Sequence, residues 1–157
     1  MHVAFDERLA LLCGDELIVM AFVVLAAGAA ARPERLQSLM RVIGRSVGAP
    51  NGIIAGQAYE CEPGVDLRAY QQAKTGALFA ASTEAGAAAA GVEAAPWREL
   101  GGRLGEAYQV ADDLLDACGS VSDMGKPTGQ DRKHGRPSAI QAQGFDGALD
   151  RLNGLVA

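Results

Sequence analysis

Apolar residues recur at helical spacing along most of the chain. In the segment 6–31 the periodic positions are Leu9, Leu12, Leu17, Met20, Val24 and Ala27. From residue 17 onward this segment is apolar around most of its circumference, so the pattern predicts one long helix that is buried on nearly every side. Arg32 and Pro33 follow it, and a proline suits the first turn of the next helix.

Four further helices are predicted from the same spacing and from residues that start and stop helices. Their approximate bounds are 34–47, 66–90, 97–117 and 145–156, and a short segment, 53–60, lies between two turns. The first of them would present to a core the residues Leu36, Leu39, Met40, Ile43 and Val47. Asp66 stands where an N-cap residue is expected, and Pro96 opens the helix that follows it. The chain is rich in alanine and only 5% aromatic, which favours helix over sheet and predicts an all-α protein.

The composition is that of one globular domain. With 157 residues, 49% hydrophobic and 21% charged, the chain suits a single domain spanning residues 1–157. A net charge of −5 argues against a nucleic-acid partner, which would need a basic surface. Cys13, Cys61 and Cys118 form no CxxC pair, so neither a disulfide framework nor a zinc site is indicated.

The same sequence predicts a cytoplasmic protein without a transmembrane segment. The uncharged run 17–31 is shorter than the ~20 residues that a spanning helix needs, so we expect a core helix there. The first residues are acidic where an export signal would be basic.

Three carboxylates are concentrated on one predicted helix. Asp112 and Asp116 are four residues apart and share a face, Asp113 lies beside them, and Gln109 precedes them by one turn. Like charges at this spacing destabilise a helix, and a divalent cation would offset the repulsion. Mg²⁺ prefers a few carboxylates together with phosphate and water. The alternative is a solvated acidic helix end.

Basic residues elsewhere could serve the same chemistry. The segment 119–138 is predicted to be a mobile loop, and it carries Lys126 and Arg136. It is not a phosphate-binding P-loop, because Pro127 stands where that motif requires Ser or Thr. Lys74 and Thr75 lie together in a predicted helix. Ordinary solvated charges are the alternative explanation for each of these lysines and for the arginine.

These pieces combine into a pattern that matches a known family. The matching segments are GQ at 56–57, KTGALF at 74–79, YQVADDLLD at 108–116, GKPTGQD at 125–131 and GRPS at 135–138. In this order they resemble the trans-isoprenyl diphosphate synthase (polyprenyl synthetase) family, most closely its bacterial geranylgeranyl diphosphate synthases. The resemblance runs over nearly the whole chain. It implies a helical bundle around a deep apolar cavity, the isoprenoid synthase type.

The resemblance also implies a reaction and a role for each site residue. In that family an allylic diphosphate condenses with isopentenyl diphosphate, and Mg²⁺ and basic residues draw off the diphosphate. Carried over by position, Asp112 would bind Mg²⁺, with Asp113 and Asp116 supporting the metal through water. The residues implied to hold the allylic diphosphate or to assist are Lys74, Thr75, Gln109, Lys126 and Arg136.

The chain departs from the family pattern in ways that bear on function. The family has two facing aspartate-rich motifs, and these 157 residues contain the second. Glu60 stands where the family commonly has Asp, and Tyr108 replaces the more usual Phe. We therefore expect an incomplete bundle with about half of the family's helices. Its apolar segment 17–31 should promote a homodimer or pairing with a complementing subunit.

Three hypotheses remain at this point. The first is a Mg²⁺-dependent prenyltransferase that acts on an allylic diphosphate and isopentenyl diphosphate. The second is a catalytically incomplete binding or regulatory subunit that needs a partner chain. The third is an alanine-rich helical scaffold whose acidic residues are merely solvated.

Overall fold

The computed structural model describes residues 3–119, 129 and 137–157. Within them the chain is helical and contains no strand, as predicted. The helices are α1 Glu7–Gly28, α2 Leu36–Val47, α3 Ile53–Tyr59, α4 Leu67–Gln71, α5 Ala77–Ala90, α6 Ala95–Cys118 and α7 Ala139–Val156. A 3-10 turn, Pro33–Arg35, precedes α2, and a π-helical segment, Gln72–Gly76, joins α4 to α5.

The helix ends are set by recognisable capping residues. The Asp6 carboxylate accepts the Leu9 N–H at 2.9 Å, and the Asp66 carboxylate accepts the Ala69 N–H at 2.8 Å. Gly91 ends α5 with a φ of 76°, a left-handed conformation that favours glycine. The predicted helix starts at Asp6 and Asp66 and the predicted helix end at residue 90 are therefore confirmed.

The last helix begins earlier than the sequence pattern predicts. Ser138 caps α7 by accepting the Gln141 N–H, so the helix starts at Ala139 rather than near residue 145. Gly144 interrupts it with a φ of 73° and a ψ of 173°. This kink explains why the periodicity is clear only from Phe145 onward.

Helix α6 is the centre of the described bundle, with α5 on one side and α7 on the other. A small core of Val110, Leu114, Ala139 and Ala148 joins α6 to α7. Two glycines let α6 approach α5 closely. A Cβ at Gly101 would lie 2.5 Å from the Phe79 carbonyl oxygen, and one at Gly105 would lie 2.8 Å from the Gly76 Cα. The Gly101 contact holds α6 against α5, and the Gly105 contact holds it against the last residue of the π-helical segment.

Helix α1 differs from its prediction. None of its residues is buried, and its main contact within the described chain is with α2. The prediction of burial on nearly every side is wrong for this chain, because the elements that surround α1 are too few to cover it.

By length and composition α1 could also cross a membrane, with a mean hydropathy of 2.3 over its most apolar stretch. The length argument against a span therefore does not hold, although core helices of soluble proteins meet the same criterion.

Candidate active site

The π-helical segment places two adjacent residues against two different helices. It lies between α3 and α6, and it contains Lys74 and Thr75. Residues that follow one another in a helix point in different directions, so Lys74 contacts α3 while Thr75 contacts α6. Single π-helical turns within α-helices are frequent at functional sites.

The Lys74 ammonium lies in a polar cluster of side chains. It donates to the Glu60 carboxylate and, at 2.8 Å, to the Tyr70 hydroxyl. The Tyr70 hydroxyl donates to Glu60 at 2.8 Å, and the Gln57 amide donates to the other Glu60 oxygen at 3.1 Å. The ammonium also lies 5.2 Å from the centre of the Tyr70 ring. Lys74 is thus held in place while 30% of its side chain remains exposed.

The electrostatics of this cluster favour a charged lysine. Burial on its own lowers the pKa of Lys74, but its hydrogen bonds to Glu60 and Tyr70 outweigh burial, and the pKa is raised above its usual value. Burial also raises the pKa of Tyr70, with Lys74 opposing and Glu60 reinforcing that shift. Near neutral pH the cluster therefore presents an ammonium group beside a neutral phenol.

A second chain of hydrogen bonds runs from Thr75 to the aspartate motif. The Thr75 hydroxyl donates to the Gln109 amide oxygen at 2.7 Å, and the Gln109 amide nitrogen donates to Asp113 at 2.8 Å. The Lys-Thr segment and the aspartate-bearing helix are thus joined side chain to side chain. The structure brings together Thr75, Gln109 and the DDxxD segment, which the family pattern alone had grouped.

Asp113 is buried and fully engaged with protein donors. Its side chain accepts the Ala139 N–H at 2.6 Å, the Gln71 amide at 3.0 Å and the Gln109 amide. Burial raises its pKa, the hydrogen bonds from Ala139 and Gln109 lower it, and the charges of Asp112 and Asp116 raise it; the net shift is upward.

The other two aspartates lie on the shared face that their spacing predicts. Asp112 is half-buried, and Asp116 is only 7% exposed. Among the described residues no group of three His, Cys, Asp or Glu side chains could hold a metal ion alone. This donor set fits Mg²⁺ only in the form the ion usually takes, with one or two carboxylates and the remaining ligands from water or phosphate.

Some of the predicted site residues lie outside the described part of the chain, and some residues of the site were not predicted from the sequence. Lys126 and Arg136, with nearly all of the predicted loop 119–138, lie outside the described residues. The sequence pattern did not assign Tyr70 or Gln71 to the site. Tyr70 could have been found from its i, i+4 spacing to Lys74, whereas no pattern links Gln71 to an aspartate 42 residues away.

Comparisons with known proteins identify relatives of this chain. The geranylgeranyl diphosphate synthases of Cereibacter sphaeroides and Rhodobacter capsulatus are 52% and 51% identical over 99% and 100% of the chain. The chain covers 54% of each, so it spans about half the length of the curated relatives it matches.

Solved structures show the same fold. A Helicobacter pylori geranyltransferase, solved in complex with magnesium and isoprenyl diphosphate, matches with a TM-score of 0.83 at 26% identity. The match covers 99% of this chain and 53% of that one. A Zymomonas mobilis FPP/GFPP synthase matches with a TM-score of 0.75 at 28% identity, over 99% of this chain and 54% of that one.

The family profile described as Polyprenyl synthetase matches residues 1–152. Together with the helical fold and the ordered motifs on α3, the π-helical segment and α6, this match shows that the chain belongs to the polyprenyl synthetase family.

Proposed function

We propose that this protein is a trans-prenyltransferase that condenses isopentenyl diphosphate with an allylic diphosphate. The observation that carries the proposal is the Thr75–Gln109 hydrogen bond of 2.7 Å, which joins the lysine-bearing segment to the aspartate-bearing helix. A diphosphate needs a cation and a metal-binding carboxylate close together. Family membership and the identity to two geranylgeranyl diphosphate synthases support this assignment.

In this proposal Lys74 binds the diphosphate of the allylic substrate. Its side chain is 30% exposed, and two hydrogen bonds hold the charged ammonium, to Glu60 and Tyr70. A lysine has three N–H donors, so one remains for a phosphate oxygen. Thr75 and Gln109 assist by keeping the π-helical segment in register with α6. Lys126 and Arg136 complete the set of cations on sequence grounds alone.

The carboxylates suit Mg²⁺ in unequal ways. Asp112 and Asp116 would hold the ion on the shared face of α6, and the diphosphate and water would supply its remaining ligands. When bound, Mg²⁺ stabilises the negative charge that develops on the departing diphosphate. The oxygens of Asp113 already accept hydrogen bonds from Ala139, Gln71 and Gln109, so Asp113 supports the site from within the fold.

The proposed reaction breaks one bond and forms another. The carbon–oxygen bond between the allylic group and its diphosphate breaks, and the diphosphate keeps the electron pair. The double bond of isopentenyl diphosphate then attacks the allylic carbon, and a proton leaves the new cation for the departing diphosphate. The chain's contribution is to stabilise the leaving group and to help exclude water from the cation.

A second candidate is a subunit that binds diphosphate but needs another polypeptide to catalyse. The observation that favours it is helix α1, which exposes apolar residues along its length, including Leu11, Leu17 and Val24 at 69%, 67% and 62%. A helix that exposes apolar side chains along its whole length is typical of an interface, either with a second copy or with a complementing chain. The cytoplasmic location predicted from the sequence remains a prediction.

One assay tests the first proposal and distinguishes it from the second. The purified chain is incubated with Mg²⁺, farnesyl diphosphate and labelled isopentenyl diphosphate, alone and with the N-terminal half of the Cereibacter sphaeroides relative. A chain-elongated product from the chain alone supports the transferase. Product only in the mixture supports the partner-requiring subunit. Absence of product in both, from folded protein, contradicts the transferase proposal.

A further inference from the structure

Helix α3 touches the backbone of Lys74 through a glycine. A Cβ built on Gly56 would lie 2.5 Å from the Lys74 Cα and 2.7 Å from the Ala73 carbonyl carbon. Ordinary contacts of a Cβ are 3.4 Å or longer, and the atoms it would meet are backbone, which cannot rotate away as a side chain can. Any side chain at position 56 would therefore push α3 and the π-helical segment apart.

The same face of α3 holds the Lys74 ammonium one turn later. Glu60 is the C-cap residue of α3, four residues after Gly56, and its backbone is still helical, so both residues point towards the π-helical segment. The Glu60 side chain is 15% exposed and accepts hydrogen bonds from Lys74, Tyr70 and Gln57. Helix α3 thus fixes both ends of Lys74, its backbone through Gly56 and its ammonium through Glu60.

We propose that Gly56 and Glu60 are positioning residues that hold Lys74 ready to bind a diphosphate. This inference rests on the proposed function for the identity of the ligand, but the placement of Lys74 can be tested without it. A free lysine side chain loses considerable conformational entropy when it is ordered, so fixing it in advance improves affinity for the ligand it binds.

The charge of Glu60 allows a test that distinguishes two roles for this residue: positioning Lys74, or acting only as a negative charge near the ligand. If Glu60 were only a nearby negative charge, its neutralisation in Glu60→Gln would remove repulsion and strengthen the binding of an anion. If Glu60 positions Lys74, the same change loosens the ammonium and weakens binding. The two explanations therefore predict opposite signs.

The experiment measures the binding of inorganic diphosphate with Mg²⁺ by calorimetry, with the melting temperature of each variant as a check on folding. The variants are Gly56→Ala, Glu60→Gln and a matched control, Gly101→Ala. A Cβ at Gly101 would also meet backbone, 2.5 Å from the Phe79 oxygen and 2.8 Å from the Ala80 Cα, but at the α5–α6 contact. The control therefore reproduces the packing defect without touching α3.

We expect Gly56→Ala and Glu60→Gln to weaken binding at least tenfold, and Gly101→Ala to change it less than threefold despite a lower melting temperature. The inference is overturned if Gly56→Ala binds as well as the control, or if Glu60→Gln binds as tightly as the unmodified chain or more tightly.

A second readout keeps the inference testable if the unmodified chain binds no diphosphate, a result that would count against the proposed function. The rate of acetylation of Lys74, relative to Lys133 in the same chain, is followed by mass spectrometry. A held ammonium reacts slowly, so Gly56→Ala and Glu60→Gln should raise this ratio at least fivefold and Gly101→Ala should not. An unchanged ratio in the first two variants would refute the positioning role.

Discussion

The carboxylate of Asp113 accepts the backbone N–H of Ala139 at 2.6 Å, and this bond joins α6 to the first residue of α7. An N–H at the start of a helix has no acceptor within its own helix, so an acidic side chain from elsewhere satisfies it. Asp113 is 3% exposed and also receives the side-chain amides of Gln71 and Gln109. It therefore connects three parts of the fold, whereas its neighbour Asp112 is only half-buried.

This arrangement predicts different consequences for the two adjacent aspartates. Asp113→Ala leaves three donors without an acceptor in a buried place, and we expect it to lower the free energy of unfolding by at least about 2 kcal/mol. Asp112→Ala should lower it by less than about 1 kcal/mol, because Asp112 is partly exposed. Urea denaturation followed by circular dichroism measures both.

Asp113→Asn serves as the matched control. Its amide can accept the Ala139 N–H on one side and donate to a rotated Gln109 amide on the other, so we expect a smaller loss than for Asp113→Ala. Equal losses for Asp112→Ala and Asp113→Ala would show that the hydrogen bonds of Asp113 do not carry the stability assigned to them.

The α5–α6 contact yields a prediction about two glycines on one helix. A Cβ at Gly105 would lie 2.8 Å from the Gly76 Cα and 3.0 Å from the Phe79 Cβ, whereas a Cβ at Gly102 would meet nothing within 4 Å. Gly105→Ala should therefore destabilise the chain by about 1–3 kcal/mol through overpacking. Gly102→Ala should stabilise it by up to about 1 kcal/mol, because alanine is the better helix former. Thermal melts of the two variants measure this, and destabilisation by both would contradict the packing described for α6.

The Lys74 cluster predicts how stability responds to alkaline pH. The pKa of Lys74 is raised: burial lowers it, but the hydrogen bonds to Glu60 and Tyr70 more than compensate. A lysine whose pKa is higher in the folded state stabilises the fold. This stabilisation is fully present at any pH below the pKa of the unfolded state, and it is lost as the pH rises through the pKa of the folded state. In the unfolded chain the pKa of Lys74 is near 10.5. The difference in unfolding free energy between the unmodified chain and Lys74→Met should therefore stay constant to about pH 10 and fall above it.

Tyr70 is kept in both chains, because its hydroxyl is one of the two groups whose hydrogen bonds raise the pKa of Lys74, and the ionisation of the phenol is followed separately by ultraviolet absorbance. A difference that grows with rising pH would mean that the pKa of Lys74 is lowered on folding. That outcome would contradict the finding that the hydrogen bonds to Glu60 and Tyr70 outweigh the burial of Lys74.

The exposed face of α1 predicts self-association. Leu17 and Val24 are seven residues apart on one face of the helix and are 67% and 62% exposed. We expect sedimentation to show species larger than a monomer, and the double substitution of both residues by Ser to shift the distribution towards monomer. Because both side chains are exposed in the single chain, the free energy of unfolding of the monomer should change by less than about 0.5 kcal/mol for each substitution. Val156→Ser, at a residue 68% exposed on α7, is the control and should leave the distribution unchanged.

Local signals predicted the helices well, and contacts over long sequence distances were predicted poorly. Asp66 was recognised as a cap because its role depends on the next few residues. The prediction of the buried face of α2 is only partly right, because Leu39 is buried but Met40 is 38% exposed. Tertiary neighbours decide which side of the apolar stripe is covered. The burial of α1 was wrong because apolar periodicity reports a tendency to be covered, not the presence of a covering element.

The candidate site shows the same division. The family pattern grouped Lys74, Thr75 and Gln109 from sequence order alone, but it did not reveal the π-helical segment that turns Lys74 and Thr75 towards different helices. The bond between Gln71 and Asp113 spans 42 residues and depends on how α4 meets α6, which no local rule specifies.

We propose that α6 and the π-helical segment form one face of a magnesium-dependent diphosphate site. The most direct test is a calorimetric titration of the chain with a non-hydrolysable allylic diphosphate analogue, with and without Mg²⁺, for the unmodified protein, Asp112→Ala and Asp150→Ala. Asp150 lies exposed on α7 and serves as the control. We expect Mg²⁺-dependent binding that Asp112→Ala weakens at least tenfold and Asp150→Ala leaves unchanged. Binding that is independent of Mg²⁺, or equal in all three proteins, would contradict it.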